Sequence, residues 1–224
     1  MNELLFITQA LIVSAGTIGA LLLGKEALVA FICLQTILAN LFVTKQIALF
    51  GLNATCGDVF IVSSFFGLNI LQELFGQAIV KKTIAINLFL VFFYLIMSQF
   101  HLFYVPNSFD SMHGHFTSIL SFMPRIVIAS VFTFFLTQVL EIYVFAGLKK
   151  LFADKHLTLR NTITLAISTL FDTIIFSFAG LYGLIGSIWQ IILVSLCIKA
   201  IAIMCCTPFT ILAQKITRKT HKSH

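Results

Sequence analysis

Four polar side chains stand within an apolar stretch between Gly57 and Lys82, and together they could bind a small polar molecule. They are Asp58, Asn69, Gln72 and Glu73. Carboxylates and amides inside a membrane span are costly, and they usually face a pathway or one another. A helix turns about 100° per residue, so Asp58 and Asn69, eleven residues apart, project within roughly 20° of each other. The spacing predicts a helix with a polar stripe that lines a substrate pathway; structural hydrogen bonds between helices are the alternative.

Similar arrangements recur later in the chain. Asn161 and Asp172 are again eleven residues apart in an apolar run, and Gln138 precedes Glu141 by about one turn in another. A second polar helix is therefore expected to face the first across a cavity. For Glu141, a position at the solvated end of its helix is the alternative.

Lys199 lies near the middle of the last apolar run, too deep to reach the interface easily. It is expected to pair with Asp172, Glu73 or Asp58, and the sequence leaves open which. Asp58 also suits a helix start, where a carboxylate caps free N–H groups. The residues expected to bind substrate are, in chain order, Asn40, Lys45, Asp58, Asn69, Gln72, Glu73, Arg125, Gln138, Asn161, Asp172 and Lys199.

The composition places these side chains in a membrane protein. Of 224 residues, 59% are hydrophobic and only 10% are charged, whereas a soluble domain carries roughly 25% charged residues. The apolar runs are long and unbroken, which excludes an outer-membrane barrel. We therefore predict an all-α polytopic transmembrane helical bundle that forms one integral membrane transporter domain over residues 1–224.

Seven spans are predicted, and they cover about residues 4–23, 27–43, 55–76, 83–105, 125–148, 161–181 and 187–213. Six spans would result if the first two runs formed one broken element. The first run lacks a basic start and is expected to be a retained helix, not a signal peptide. Lys81 and Lys82 are expected to end the third span.

Basic residues fall almost entirely on one set of loops, which predicts the orientation. The opposite set holds only Lys45 and the boundary residue Arg125. We expect a multi-pass protein of the bacterial inner membrane with a cytoplasmic C-terminus and an external N-terminus. The basic residues assigned to the cytoplasmic side are Lys25, Lys81, Lys82, Lys149, Lys150, Lys155, Arg160, Lys215, Arg218, Lys219 and Lys222.

Other classes of function find little support in the sequence. Intramembrane enzymes need a nucleophile–base pair or a metal triad, and neither H-E-x-x-H nor G-x-S-x-G is present. His113 and His115 alone are weak evidence for a metal, and the five cysteines lie in or beside apolar runs. We therefore expect no enzyme activity, no metal and no cofactor. Direct nucleic-acid binding is not expected either, because the net charge of +6 is spread over span ends. Small residues in the first span suit packing within the monomer or a homodimer equally well.

The run from Ala39 to Lys82 resembles the queuosine precursor transporter family, also called the vitamin uptake transporter family. Its most specific part is Asn69, Gln72 and Glu73 followed by Gly76. Further matching segments cover most of the chain after the first span: Arg125 to Ser130, Gln138 with an acid three residues on, Arg160-Asn161, and Asp172-Thr173 with Phe176. Members often have Asp at the position of Glu141.

The resemblance implies uptake of 7-cyano-7-deazaguanine, its aminomethyl relative or queuine, which feed queuosine modification of tRNA. A carboxylate can accept both donors of a guanine-like base, its N1–H and 2-amino group, while O6 needs a donor and the flat face suits Phe or Trp. Glu73 or Asp172 is expected to receive that edge, and Lys199 or Arg125 to balance charge. Asn69, Gln72 and Gln138 would complete the ring around the base, and helix movement would alternate access.

Two rival functions follow from the same features. The chain could be the substrate-binding membrane subunit of an ATP-driven vitamin importer, which would need a separate energising module. It could also be an assembly protein whose polar residues only hold helices together. An intramembrane enzyme is disfavoured for want of a catalytic constellation.

Overall fold

Helices make up most of the structure, a computed structural model that describes residues 1–43, 45–49, 51–120, 124–153, 155–181 and 188–220. Two short strands and a π-helical turn complete it. The helices within these ranges are α1 (Asn2–Leu23), α2 (Lys25–Phe42), α3 (Asp58–Phe75), α4 (Gln77–Phe103), α5 (His113–Leu120), α6 (Pro124–Leu151), α7 (Leu157–Phe176) and α8 (Ile188–Thr220). The strands are β1 (Gln46–Leu49) and β2 (Leu52–Thr55), and the π-helical turn Ser177–Leu181 continues α7.

In the described part of the chain, 7 helices are long and apolar enough to cross a bilayer, and all but α5 belong to this set. Each has at least 18 residues, which is close to the length that the hydrocarbon core requires. The protein is therefore a multi-pass, all-α membrane bundle, and the predicted fold class is confirmed.

The boundary between the third and fourth spans differs from the prediction. Helix α3 ends at Phe75, and Gly76 follows with a φ of 82°, a left-handed conformation that glycine adopts readily. Helix α4 starts at once, so Lys81 and Lys82 lie in its second turn rather than at the end of α3. Lys81 and Lys82 lie at the end of the bundle where α3 ends, as predicted, but Gly76 is the residue that ends the helix.

A β-hairpin joins α2 to α3, in the segment between the predicted second and third spans. Strands β1 and β2 pair antiparallel, with Gln46 opposite Thr55 and Leu49 opposite Leu52. The side-chain amide of Asn2 donates a hydrogen bond to the carbonyl oxygen of Ala48 at 3.0 Å. The hairpin is thereby attached to the start of α1.

Helix α3 occupies the centre of the bundle. It contacts α1, α2, α4, α6, α7 and α8, and every residue from Val62 to Gln72 is buried. Gly67 permits this packing, because a Cβ atom there would lie 2.8 Å from Cγ1 of Ile32 on α2. Helix α4, in contrast, exposes a row of phenylalanine side chains of the kind that faces lipid. The helix expected to form one wall of a pathway is thus the core of the protein.

Helices α3, α6 and α8 run in one direction, and α7 runs in the other. Contacts establish this: Glu73, near the end of α3, meets Arg160 at the start of α7, whereas Asp58 at the start of α3 lies beside Lys199. Lys199 in turn contacts Asp172, near the end of α7. We refer to the two ends of the bundle as the Asp58 end and the Glu73 end.

Candidate functional site

Lys199 carries an ion cluster at the Asp58 end of the bundle. Its Nζ donates hydrogen bonds to Oδ2 of Asp172 at 2.7 Å and to Oγ1 of Thr173 at 3.1 Å, and it lies 3.6 Å from Oδ1 of Asp58. Of the three acids left open by the sequence, Lys199 thus pairs with two. Helices α3, α7 and α8 meet at this cluster, and a buried pair of this kind is costly to break because one charge is left uncompensated.

Glu73 carries a second ion cluster at the other end. The guanidinium group of Arg160 donates a hydrogen bond from Nη2 to Oε1 of Glu73 at 2.9 Å, and Nζ of Lys149 lies 3.3 Å from Oε2. Arg160 is fully buried, and its guanidinium carbon lies 5.4 Å from the ring centroid of Phe145. This geometry combines an ion pair with a cation–π contact. The cluster joins α3, α6 and α7.

Arg160 lies in the first turn of α7, not in the connector before that helix as predicted, and its side chain is fully buried. The residue follows a basic segment and precedes a long apolar run, a position that usually lies at the interface. Its spacing offered one signal. Arg160, Thr164, Ser168 and Asp172 follow one another at intervals of four residues, so they fall along one side of α7.

Between the two ion clusters lie four buried polar side chains from three helices, which we call the central cluster: Asn69, Gln138, Glu141 and Ser168. Each is at most 1% exposed. The amide atoms of Asn69 and Gln138, both carboxylate oxygens of Glu141 and the Ser168 hydroxyl make no hydrogen bond of good geometry within the described residues, although Asn69 and Ser168 lie close enough to Glu141 to interact with its carboxylate. Buried polar atoms are nearly always bonded, so this set is available to a ligand.

Glu141 is the centre of this cluster. Its carboxylate lies beside the side chains of Asn69 on α3 and Ser168 on α7, and close enough to Asp172 for their charges to interact. The sequence indicated an acid one turn after Gln138 but allowed a solvated helix end; the structure buries it instead. The spacing of Gln138 and Glu141 on α6 was the available signal that both face the same side of the helix. The burial of Glu141 depends on how the neighbouring helices pack, which the sequence does not reveal.

Two stacked phenylalanines adjoin the central cluster. The rings of Phe65 and Phe134 have centroids 6.2 Å apart and an interplanar angle of 16°. Both side chains are buried. Phe65 precedes Asn69, and Phe134 precedes Gln138, by four residues, or about one helical turn. The polar side chains therefore lie next to an aromatic surface, as a binding site for a planar heterocycle requires.

Three other predicted site residues bridge helices in this structure. The amide of Gln72 donates to the carbonyl oxygen of Ile142 at 3.0 Å, which ties α3 to α6 beside Glu141. The amide of Asn161 donates to Oγ1 of Thr210 at 2.9 Å, which ties α7 to α8.

Asn40 donates to the carbonyl oxygen of Thr36 and accepts a 2.9 Å hydrogen bond from Ser130, which ties α2 to α6. Lys45 is exposed next to the hairpin, away from the central cluster. The side chain of Arg125 lies outside the described residues. The structure therefore places Asn69 and Gln138 in the central cluster, four of the predicted residues in the ion clusters and three in helix bridges, and Lys45 apart.

Comparisons with known proteins agree with this architecture. Residues 55–213 match the model of a family described as "Putative vitamin uptake transporter". A protein of Bacillus subtilis (strain 168) named "Probable queuosine precursor transporter" is 32% identical over 205 residues, which cover 89% of each chain. No solved structure matches the chain. Because the family match extends over most of the bundle and the relative over nearly the whole chain, this protein belongs to the vitamin uptake transporter family.

Proposed function

We propose that this protein carries 7-deazaguanine precursors of queuosine across the bacterial inner membrane into the cytoplasm. The observation that carries the proposal is the central cluster, whose amides and carboxylate are buried without a cation or a hydrogen bond of good geometry among the described residues. The similarity to a protein named as a queuosine precursor transporter supplies the class of substrate. Family membership assigns transport, and we propose that the chain catalyses no chemical step.

The central cluster suits such a base. A 7-deazaguanine has two donors side by side, N1–H and the 2-amino group, and the acceptor O6 next to them. Carbon replaces N7, so no acceptor is present at that position. Glu141 offers acceptors, whereas the amides of Asn69 and Gln138 offer donors as well as acceptors. The rings of Phe65 and Phe134 offer an apolar surface to the flat base.

We propose that the two ion clusters close the pathway on either side of the bound base. One lies at Lys199 with Asp58 and Asp172, and the other at Glu73 with Arg160. Rearrangement of one cluster at a time would open the central cluster to one side of the membrane, as alternating access requires. Binding roles for Glu73, Asp172 and Gln72 remain predictions that substitution will test.

The Glu73 end is proposed to face the cytoplasm. The connection between α1 and α2, the start of α4 and the end of α6 all lie at this end, and they hold Lys25, Lys81, Lys82, Lys149 and Lys150. An excess of lysine marks the cytoplasmic side of a membrane protein. On this topology the C-terminus of α8 is also cytoplasmic, and residues 1–224 form one transporter domain.

Uptake into cells tests the function directly. Bacteria that lack both precursor synthesis and their own importer would express this chain and receive each 7-deazaguanine at low concentration. We expect queuosine to return in their tRNA. If none forms with any precursor although the protein is present in the membrane, the proposal fails.

Purified protein in liposomes separates a self-sufficient transporter from the membrane subunit of an ATP-driven importer. We expect the chain alone to move the labelled base across the liposome membrane. Uptake that appears only when an ATPase module is added would favour the importer subunit. Glu26→Gln is the control variant and should transport the base like the natural protein, because Glu26 is exposed at the start of α2.

A further inference from the structure

We propose that Glu141 is the residue that reads the 2-amino group, and that it makes the transporter selective for guanine-type over hypoxanthine-type 7-deazapurines. In this arrangement its two carboxylate oxygens accept the N1–H and the 2-amino group. The inference rests on the proposed function and assigns one residue to one edge of the base.

The three other acids within α3, α6 and α7 already have cations. Asp172 and Asp58 share Lys199, and Glu73 binds Arg160 and Lys149. A carboxylate in such a pair must weaken a charge-assisted contact of 2.7–2.9 Å before it can accept a bond from a neutral base.

Glu141 has no cation beside it within the described residues: its polar neighbours are the neutral side chains of Asn69 and Ser168, and neither makes a hydrogen bond of good geometry to its oxygens. An unpaired carboxylate at this depth is costly, and a ligand with two adjacent donors relieves that cost. Among the acids within α3, α6 and α7, Glu141 is thus the one whose carboxylate such a ligand stabilises most.

The neighbours of Glu141 fit the rest of the same base edge. Asn69 lies beside the carboxylate, and Gln138 is one turn before it on α6. Either amide can donate to O6, which is adjacent to N1–H on the ring. A base without the 2-amino group would leave one oxygen of Glu141 unpaired, and buried sites discriminate strongly against a ligand that leaves a polar group unbonded.

Uptake of two matched bases into proteoliposomes tests this assignment. The probes are radiolabelled 7-cyano-7-deazaguanine and the same compound without its 2-amino group. We expect the natural protein to prefer the first by at least about tenfold in the ratio of kcat/KM values. Equal uptake of the two bases by the natural protein would overturn the inference and leave the proposed function in place.

Glu141→Gln provides the decisive variant. A carboxamide presents one acceptor and one donor, and the donor would oppose the 2-amino group. We expect uptake of the guanine-type base to fall by at least about tenfold while uptake of the 2-deamino base changes little, so that selectivity disappears. Glu141→Asp keeps both acceptors, and we expect it to retain the preference at a lower rate.

The outcomes separate the inference from the function on which it rests. Unchanged selectivity in Glu141→Gln, or an equal loss for both bases in folded protein, would refute the role of Glu141. If Glu141→Gln does not fold, the inference is tested by whether Glu141→Asp and the natural protein prefer the base with the 2-amino group over the base without it. Failure of the natural protein to transport either base, together with failure of every precursor to restore queuosine in cells, would refute the proposed function itself. Glu26→Gln should leave the ratio unchanged, since its side chain is exposed.

Discussion

Arg160, at the start of α7, donates a 2.9 Å hydrogen bond to Glu73, near the end of α3, from a fully buried position. Together with the ion cluster around Lys199, this Arg160–Glu73 pair places one set of paired charges at each end of the polar stripe of α3. Between them lie the side chains of the central cluster, whose polar atoms make no hydrogen bond of good geometry in the described structure. Charge pairing at the ends thus leaves the middle of the stripe available for a solute.

Breaking the Glu73–Arg160 pair should destabilise the protein strongly. We expect Arg160→Met or Glu73→Gln to lower stability by about 3–5 kcal/mol, because the remaining charge or donor is left buried without its partner. Thermal unfolding in detergent measures this effect. The double variant should recover part of the loss, and an additive loss in the double variant would show that the two residues do not act as a pair.

Removal of the charge of Lys199 should also be damaging. In Lys199→Met, Asp58 and Asp172 would lie close together without the shared cation. We expect low amounts of folded protein in the membrane and loss of uptake. Lys25→Met is the control, because Lys25 is far more exposed and its ion pair in the described part of the chain is with the exposed Glu26. Similar behaviour of the two variants would contradict this account.

Gly67 should tolerate no side chain. A Cβ atom at this position would lie 2.8 Å from Cγ1 and 3.2 Å from Cδ1 of Ile32. We expect Gly67→Ala to destabilise the protein by about 1–3 kcal/mol, because overpacking forces α2 and α3 apart. Thermal unfolding of detergent-solubilised protein checks this.

Gly147→Ala is the matched control for that substitution, since a Cβ atom there meets nothing within 4 Å. Addition of Ile32→Ala to Gly67→Ala should restore part of the lost stability. If Gly67→Ala is as stable as Gly147→Ala, the close contact between α2 and α3 is not a constraint.

Phe134 should contribute to substrate affinity. Its ring stacks on Phe65 one turn from Gln138. We expect Phe134→Leu to raise KM for a 7-deazaguanine several-fold, because aromatic contact contributes about 0.5–1.5 kcal/mol beyond burial. Phe89→Leu on the exposed side of α4 should leave KM unchanged. Uptake kinetics, normalised to folded protein, measure both variants, and equal KM values would count against a stacking role.

Much of the fold could be predicted from the sequence. Apolar length alone indicates the seven spans, and the eleven-residue spacing from Asp58 to Asn69 marks the polar side of α3. The hairpin could not be predicted in this way, because strands of four residues such as Gln46–Leu49 show too little alternation to be distinguished from a turn.

The candidate site could be predicted only in part. Asn69 and Gln138 stand out because amides are unusual in apolar helices. The burial of Arg160 and Glu141, in contrast, depends on how α3, α6 and α7 pack against one another. The same residue types at the same distance from a helix end would be solvated if those helices were peripheral. Assignment of pairs, such as Lys199 with Asp172, likewise needs the packed structure.

Single glycines form two of the joints between consecutive helices at the Glu73 end. Gly24 alone separates α1 from α2, and Gly76 alone separates α3 from α4. At the Asp58 end, the hairpin and the segment with α5 make much longer connections. The connections are therefore asymmetric: two pairs of helices are each held together through one residue at the Glu73 end, whereas longer segments link α2 to α3 and α4 to α6 at the Asp58 end.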